Sequence, residues 1–292
     1  MTLSVASVRA TQQRSNPIAV FLKRDIPLSI FLGLFILLVV GLLIGPWLWP
    51  LSSDAINLSN VLQAPSAAHP MGTDDTGRDL LARFLDGGRT SVFAGLLIAV
   101  IGAVLGCALA LMAGSMRGWV DSVFTWLTNS ILCFPAILLA MAIAMAIRPG
   151  VTAVVIGLSL HSFPWYMRTL RSEVMRLYGQ DFIRSTDAIG AHPVRILLRH
   201  VLPHLIPTMI LQMAAVFGAS ILSLAALGFL GLGAQPPTAE WGAMITDGQQ
   251  FFLTGQWWIA GFPGLGLLVA VTLTTLIADR AREVLDPRSD AV

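Results

Sequence analysis

Charge is scarce in this 292-residue chain, where Asp, Glu, Lys and Arg together make up 12% of the residues, against about 25% in a soluble domain. Lysine occurs once, as Lys23, with no glycine before it. That excludes the Gly-x-x-x-x-Gly-Lys-Ser/Thr loop that cradles nucleotide phosphates. The only cysteines, Cys107 and Cys133, fall inside apolar runs and imply no disulfide framework. His69, His161, His192, His200 and His204 are dispersed, and neither HExxH nor Gly-x-Ser-x-Gly occurs. No zinc-protease or serine-hydrolase set is therefore readable, and no metal centre is expected. Sustained period-two alternation is also missing, which excludes a membrane β-barrel.

Apolar residues fill the space that charge leaves: they make up 55% of the chain, and its mean hydropathy is +0.77. This is the composition of a multi-span membrane protein. Runs near the ~20 apolar residues needed to cross a bilayer lie at 27–50, 91–116, 120–147, 151–167, 205–232 and 257–278. In lipid each run must satisfy its own backbone hydrogen bonds, so each is expected to be a helix. The predicted fold is all-α, a polytopic membrane bundle of six transmembrane helices. The first run exceeds a signal-peptide core, and Pro46-Trp47-Leu48-Trp49-Pro50 offers no cleavage site, so it reads as a retained anchor.

Basic residues orient the bundle. With the N-terminus inside, Arg9, Arg14, Lys23, Arg24, Arg117, Arg280, Arg282 and Arg288 are cytoplasmic. So is a central island, 168–204, carrying Arg168, Arg171, Arg176, Arg184, Arg195 and Arg199. Only Arg78, Arg83, Arg89 and Arg148 remain outside, so both termini are expected in the cytoplasm.

Inside the island, Ser185, Thr186, Asp187, Ala188 and Ile189 read as a short helix, Gly190 as its stop and His192-Pro193 as a turn before a second amphipathic helix over 194–202. Small side chains at 185, 186, 188, 190 and 191 would admit a partner's surface close to the backbone, as a docking knob does. On the other side, Gly72-Thr73-Asp74-Asp75-Thr76-Gly77-Arg78-Asp79 carries turn glycines and caps, with Thr73 or Asp74 predicted to cap a helix beginning near Thr76. Its aspartates lack the alternating spacing and terminal Glu of a calcium loop.

Polar residues within the spans are few. His161 interrupts the fourth run beside Ser162, Pro164 and Trp165, and either faces a path or is hydrogen-bonded in the bundle. Gln212 is the one amide of the fifth run, a path residue or interhelical glue; Ser220 and Ser223 lie among that run's small residues. Pro135 is predicted to kink the third run, and Glu240-Trp241 to set an acid and an anchor at the external interface.

These strings resemble a known family. Small residues, then Gly190-Ala191, then His200-Val201-Leu202-Pro203, are similar to the cytoplasmic coupling loop of ATP-binding cassette importer permeases, with Arg184-Ser185-Thr186 where that family begins Glu-Ala-Ala. The departure means that a salt bridge from the acid does not carry over. The Gly-Thr-Asp-x-x-Gly-Arg-Asp string at 72–79 resembles the second permease subunit of dipeptide, oligopeptide and nickel importers, as do 227–242 and the closing 279–287.

The resemblance implies a type I importer permease fold: a cytoplasmic tail (1–26), a first transmembrane helix (27–50), an external loop with an amphipathic helix (51–90), a permease core (91–279) containing the coupling loop (168–204), and a cytoplasmic tail (280–292). It implies a pore-forming, non-enzymatic subunit in the cytoplasmic (inner) membrane, moving peptides inward by alternating access. Implied partners are a homologous permease subunit, two ATPase subunits that bind the ATP and Mg, an external substrate-binding protein and the bilayer; nucleic acid is not among them. Arginines 195 and 199 would tie the loop to lipid headgroups or to the partner. Nickel or a metal chelate is the alternative cargo. A stand-alone secondary transporter or channel is the alternative machine, although the midplane charges it would need are not seen. A membrane scaffold without transport would leave the central island unexplained.

Overall fold

The computed structural model describes residues 25–116 and 118–285. Most of the 1–26 tail, Arg117 and the end of the 280–292 tail lie outside the described residues. The helices are α1 (Ile26–Leu48), α2 (Leu80–Met116), α3 (Trp119–Leu132), α4 (Ala136–Ile147), α5 (Val151–Tyr178), α6 (Asp181–Ala188), α7 (Pro193–Ile196), α8 (Leu202–Phe229), α9 (Trp241–Phe252) and α10 (Trp258–Leu285). Among the described residues there is no strand, only an isolated bridge between Thr73 and Asp79.

Several helices run further than the hydropathy pattern suggests. The amphipathic helix expected within 51–90 and the second span are one helix, α2, of 37 residues. It starts at Leu80 rather than near Thr76, and Asp79, not Thr73 or Asp74, caps it by accepting the Ala82 N–H at 2.8 Å. The fourth run does not end at residue 167. Met167, Leu170, Val174 and Leu177 keep an apolar stripe buried at helical spacing to Tyr178, so the first part of the expected loop 168–204 is the end of α5. Nor does a separate helix occupy 194–202: α7 passes through a π-helical turn, Leu197–Val201, directly into α8. The widened turn precedes Pro203, whose ring and missing N–H an ordinary α-turn accommodates poorly.

The third run is two helices, α3 and α4, bent by 90°. Pro135 lacks an N–H and pushes Phe134 out of helical geometry, which breaks the run there. Among the described residues four helices are long and apolar enough to cross a membrane, or five if the bent pair crosses as one. The helix holding the expected fourth span, α5, carries polar and aromatic residues from His161 to Tyr166 and is not among them, so length and composition do not reach six.

The most extensive helix contact is between α2 and α5. Lipid supplies no hydrophobic drive for helices to associate, so close packing must do so. On α2, Ala99, Gly102, Ala103, Gly106, Ala110, Ala113 and Gly114 form a buried small-residue face. A Cβ built on Gly106 would lie 2.5 Å from Tyr166 Cβ and 2.6 Å from the Phe163 carbonyl, and one on Gly102 would collide with the Ser162 hydroxyl. The backbones meet here with nothing between them. Gly106→Leu is expected to cost about 1–3 kcal/mol by overpacking this seam, read as a lower unfolding temperature of the detergent-purified protein; an unchanged transition would mean that α2 and α5 do not approach this closely.

Candidate functional site

The string at 72–79 folds into a closed knot. Asp74 Oδ1 accepts the Thr76 N–H (2.9 Å), the Thr76 hydroxyl (2.8 Å) and the Arg78 N–H (2.9 Å), while Oδ2 accepts Arg78 Nε at 2.7 Å. Burial alone would lift the Asp74 carboxyl; these hydrogen bonds and the Arg78 guanidinium hold it below its ordinary range. Besides capping α2, Asp79 Oδ1 accepts Trp49 Nε1 at 2.9 Å, and Oδ2 meets His69 Nδ1 at 2.8 Å. One carboxylate thus joins the end of α1, the loop and the start of α2. Gly72 and Gly77 both have positive φ, and a Cβ on Gly77 would run into the Asn57 carbonyl. The aspartates 74 and 79 are given over to internal donors, which makes this string a brace.

Glu240 and Trp241, expected at the external interface, are instead fully buried. Glu240 caps α9, a helix that the sequence pattern does not announce, by accepting the N–H groups of Gly242 (2.9 Å) and Ala243 (3.0 Å). It also accepts the Ser91 hydroxyl at 2.9 Å, and Ser91 Oγ in turn accepts the Trp241 N–H at 3.2 Å. Burial pushes the carboxyl up, against the lowering by Gly242, Ala243 and Ser91. The indole of Trp241 donates to the Phe84 carbonyl at 3.0 Å and lies against α-carbons of α2 and α10, where a Cβ on Gly88 would come within 2.5 Å of it and one on Gly266 within 2.9 Å. The available signal was the glycine pairing across distant segments, which becomes visible only once the helices are packed.

The path candidates come together. His161, Gln212, Ser220 and Ser223 all line one open cavity of about 410 Å3 between α5 and α8, with Ala136 at the start of α4 also on its wall. Gln212 Nε2 donates to Thr169 Oγ1 at 3.4 Å, and that hydroxyl is itself donated to the Trp165 carbonyl. Gln212 Oε1 and His161 Nδ1 are buried without a partner. Arg282 also lines the cavity and was not anticipated there, because the 280–292 segment reads as tail; α10 continues to Leu285 and carries Arg282 to the wall.

The central turn is a presented knob. In α6 Ile183 is buried against a cluster with Leu177, Ile196, Val201 and Leu205, while Ile189 at the tip is 84% exposed. Gly190 has φ +79°, and His192 caps α7 through the Val194 N–H at 3.3 Å. Arg184, Ser185, Ala188 and Gly190 are exposed, and Thr186 and Ala191 half-buried; the Asp187 side chain lies outside the described residues.

The family described as "Binding-protein-dependent transport system inner membrane component" matches residues 102–290. The chain is 34% identical over 271 residues to the probable D,D-dipeptide transport system permease protein of Escherichia coli K12, covering 92% of this chain and 91% of that protein. To the dipeptide transport system permease protein of Alkalihalophilus pseudofirmus it is 39% identical, covering 86% of each. A glutathione transport system permease protein of Pectobacterium atrosepticum is 33% identical, with 92% of this chain and 89% of that protein covered. Among solved structures, the MetNI methionine ABC transporter in an inward-facing form superposes with a TM-score of 0.55 at 19% identity, over 68% of this chain and 94% of that one. This last likeness is one of fold.

Asp79→Ala removes the α2 cap and leaves Trp49 Nε1 and His69 without their acceptor, and should cost about 1–3 kcal/mol. Glu240→Ala should cost at least as much, since it strands the Ser91 hydroxyl and the first N–H groups of α9. Thermal unfolding of the detergent-solubilised protein checks both, and a transition within a degree of wild type would contradict the bracing role.

Proposed function

Because the chain belongs to the family of binding-protein-dependent transport system inner membrane components, we propose that it is a pore-forming permease subunit of an ATP-binding cassette importer that carries peptides inward. Its relatives are permeases named for dipeptides, peptides and glutathione, and this favours peptides over nickel or a metal chelate. The observation that carries the reading is this agreement at 33–39% identity over most of the chain. The chain does not hydrolyse ATP itself; two ATPase subunits supply hydrolysis with bound ATP and Mg. A second, homologous permease completes the pore, and an external binding protein delivers the peptide. Both termini face the cytoplasm in this arrangement.

The proposed mechanism is alternating access. Closure of the ATPases pushes α6 through its exposed tip, Ile189 and the small residues around Gly190. Packing of Ile183 on Leu177 of α5 and Leu205 of α8 supports a rigid transfer of that push. These two helices carry the cavity walls, so moving them opens it to alternate sides. His161, Gln212, Ser220 and Ser223 are proposed to line the path. The buried external links made by Asp79 and Glu240 are proposed to hold that side of the subunit together while the cytoplasmic side moves.

Reconstitution with the co-purifying ATPases and binding protein tests this: ATP-dependent uptake of a labelled dipeptide is expected, and uptake by the isolated chain without ATPases would refute it. Gly190→Trp adds a bulky side chain at a positive-φ position on the docking surface. It should leave the protein folded and in the membrane while lowering uptake per ATP hydrolysed by about tenfold or more, a loss of at least about 1.4 kcal/mol of coupling. Wild-type uptake by that variant would remove the docking role.

A further inference from the structure

Two hollows on the flank of α2 run into one another and share Thr90 and Phe93. The first, of about 450 Å3, is lined by Asp54, Asp86 and Arg89. Its rims are held in place by the buried Arg83 guanidinium, which donates to the Ser53 carbonyl at 3.2 Å on one side and to the Pro237 carbonyl at 3.4 Å on the other. Inside it the charges are not spent on one another. Arg89 Nη1 stands 3.6 Å from Asp86 Oδ1, longer than a charge-assisted hydrogen bond, and both side chains are more than a third exposed. The second hollow, of about 660 Å3, is an apolar groove between α2 and α5, with buried Ala94 and Val155 beneath exposed Phe93, Leu97 and Ile156. It follows α2 from Thr90 to Ile101, a rise of about 16 Å at 1.5 Å per residue. That is about half of the roughly 30 Å hydrocarbon core, the depth of one leaflet. A partner's transmembrane helix would need a groove across the whole core, whereas an acyl chain needs only this much.

We propose that the joined hollows seat one phospholipid with a zwitterionic, primary-amine headgroup, of the phosphatidylethanolamine class. Arg89 takes the phosphate, Asp86 and Asp54 take the ammonium, and one acyl chain lies in the groove along Phe93, Leu97 and Ile156. The charges on the wall select this headgroup. A guanidinium matches a phosphate, and a primary ammonium carries three N–H donors for the two carboxylates. A quaternary amine has no N–H to offer them, and an anionic glycerol headgroup would set its phosphate against both acids without a cation of its own. The polar hollow also lies where a headgroup must lie, at the end of the apolar run that begins at residue 91. Neither hollow shares a lining residue with the cavity between α5 and α8, so the lipid sits apart from the proposed path and the inference goes beyond the transport reading.

Native mass spectrometry of the purified full chain, alone and with its co-purifying subunits, tests this after exchange into micelles doped equally with dioleoyl phosphatidylethanolamine, phosphatidylcholine and phosphatidylglycerol. One phosphatidylethanolamine per copy of the chain is expected, retained about tenfold over the other two, as a charge-assisted hydrogen bond provides. Asp54→Asn with Asp86→Asn should erase that preference. Arg89→Gln should weaken retention of all three lipids, because all three carry the phosphate. Leu97→Trp, which adds bulk to the groove from a half-exposed position, should abolish retention while the unfolding temperature of the delipidated chain stays near wild type. Equal retention of the three lipids by the wild-type chain, or an unchanged preference in the double asparagine variant, overturns the headgroup assignment. Retention that survives Leu97→Trp overturns the groove. No retained lipid in either sample overturns the whole proposal, and a cross-link from Leu97→Cys, in a Cys133→Ser background, to another permease subunit would then identify protein as what covers this face. Neither cargo nor ATP enters the measurement, so its failure leaves the transport reading standing, and failure of peptide uptake leaves the lipid site standing.

Discussion

Two backbones in contact, α2 against α5, set the frame for everything else in the molecule. Hydrocarbon gives no advantage to burying one apolar helix against another, so association depends on how near the chains can come. The glycines and alanines of α2 remove the side chains that would hold α5 away. A Cβ on Gly102, Gly106 or Gly114 would press on Ser162, Tyr166 or Val174 in turn along one continuous seam. With that seam fixed, the adjoining face of α5, with His161, Ser162 and Trp165, lines the cavity together with residues of α8.

Polar chemistry in this chain is concentrated where the helices leave the apolar region. Asp79 and Glu240 each serve as a helix cap and as a tether to a distant segment, one holding Trp49 and His69, the other Ser91. Combining the two duties is economical for a chain with little charge: a carboxylate needed to close a helix N-terminus has spare acceptor sites for a second element. On the other side of the bundle the ordering differs. The short α6 is anchored by one buried residue, Ile183, and offers its tip outward. One end of the bundle is thus tied by buried carboxylates, and the other presents an exposed tip at Ile189.

The cavity differs from these braces in leaving polar atoms unmatched. Where the carboxylates of Asp74, Asp79 and Glu240 are filled with donors, Gln212 Oε1 and His161 Nδ1, on residues that line the cavity, are sealed from solvent without a partner among the described residues.

Composition and periodicity by themselves determined that this is an all-helical membrane protein, that Pro135 disturbs a run as a kink, and that a short helix ending at Gly190 stands in a basic island, because those features follow from local hydropathy, backbone chemistry and charge; that the kink is a 90° break came from the structure. They also singled out His161, Gln212, Ser220 and Ser223, polar atoms conspicuous in apolar runs. Tertiary structure alone decided that α2 and α5 extend past the hydropathy edges, since a half-buried amphipathic turn looks like loop until its packing partner is known. It alone buried Glu240 and Trp241, through glycines on α2, α8 and α10 that are far apart in sequence. And it alone brought Arg282 from an apparent tail to the wall of the cavity, because which residues share a space depends on how helices cross, a property that no single segment carries.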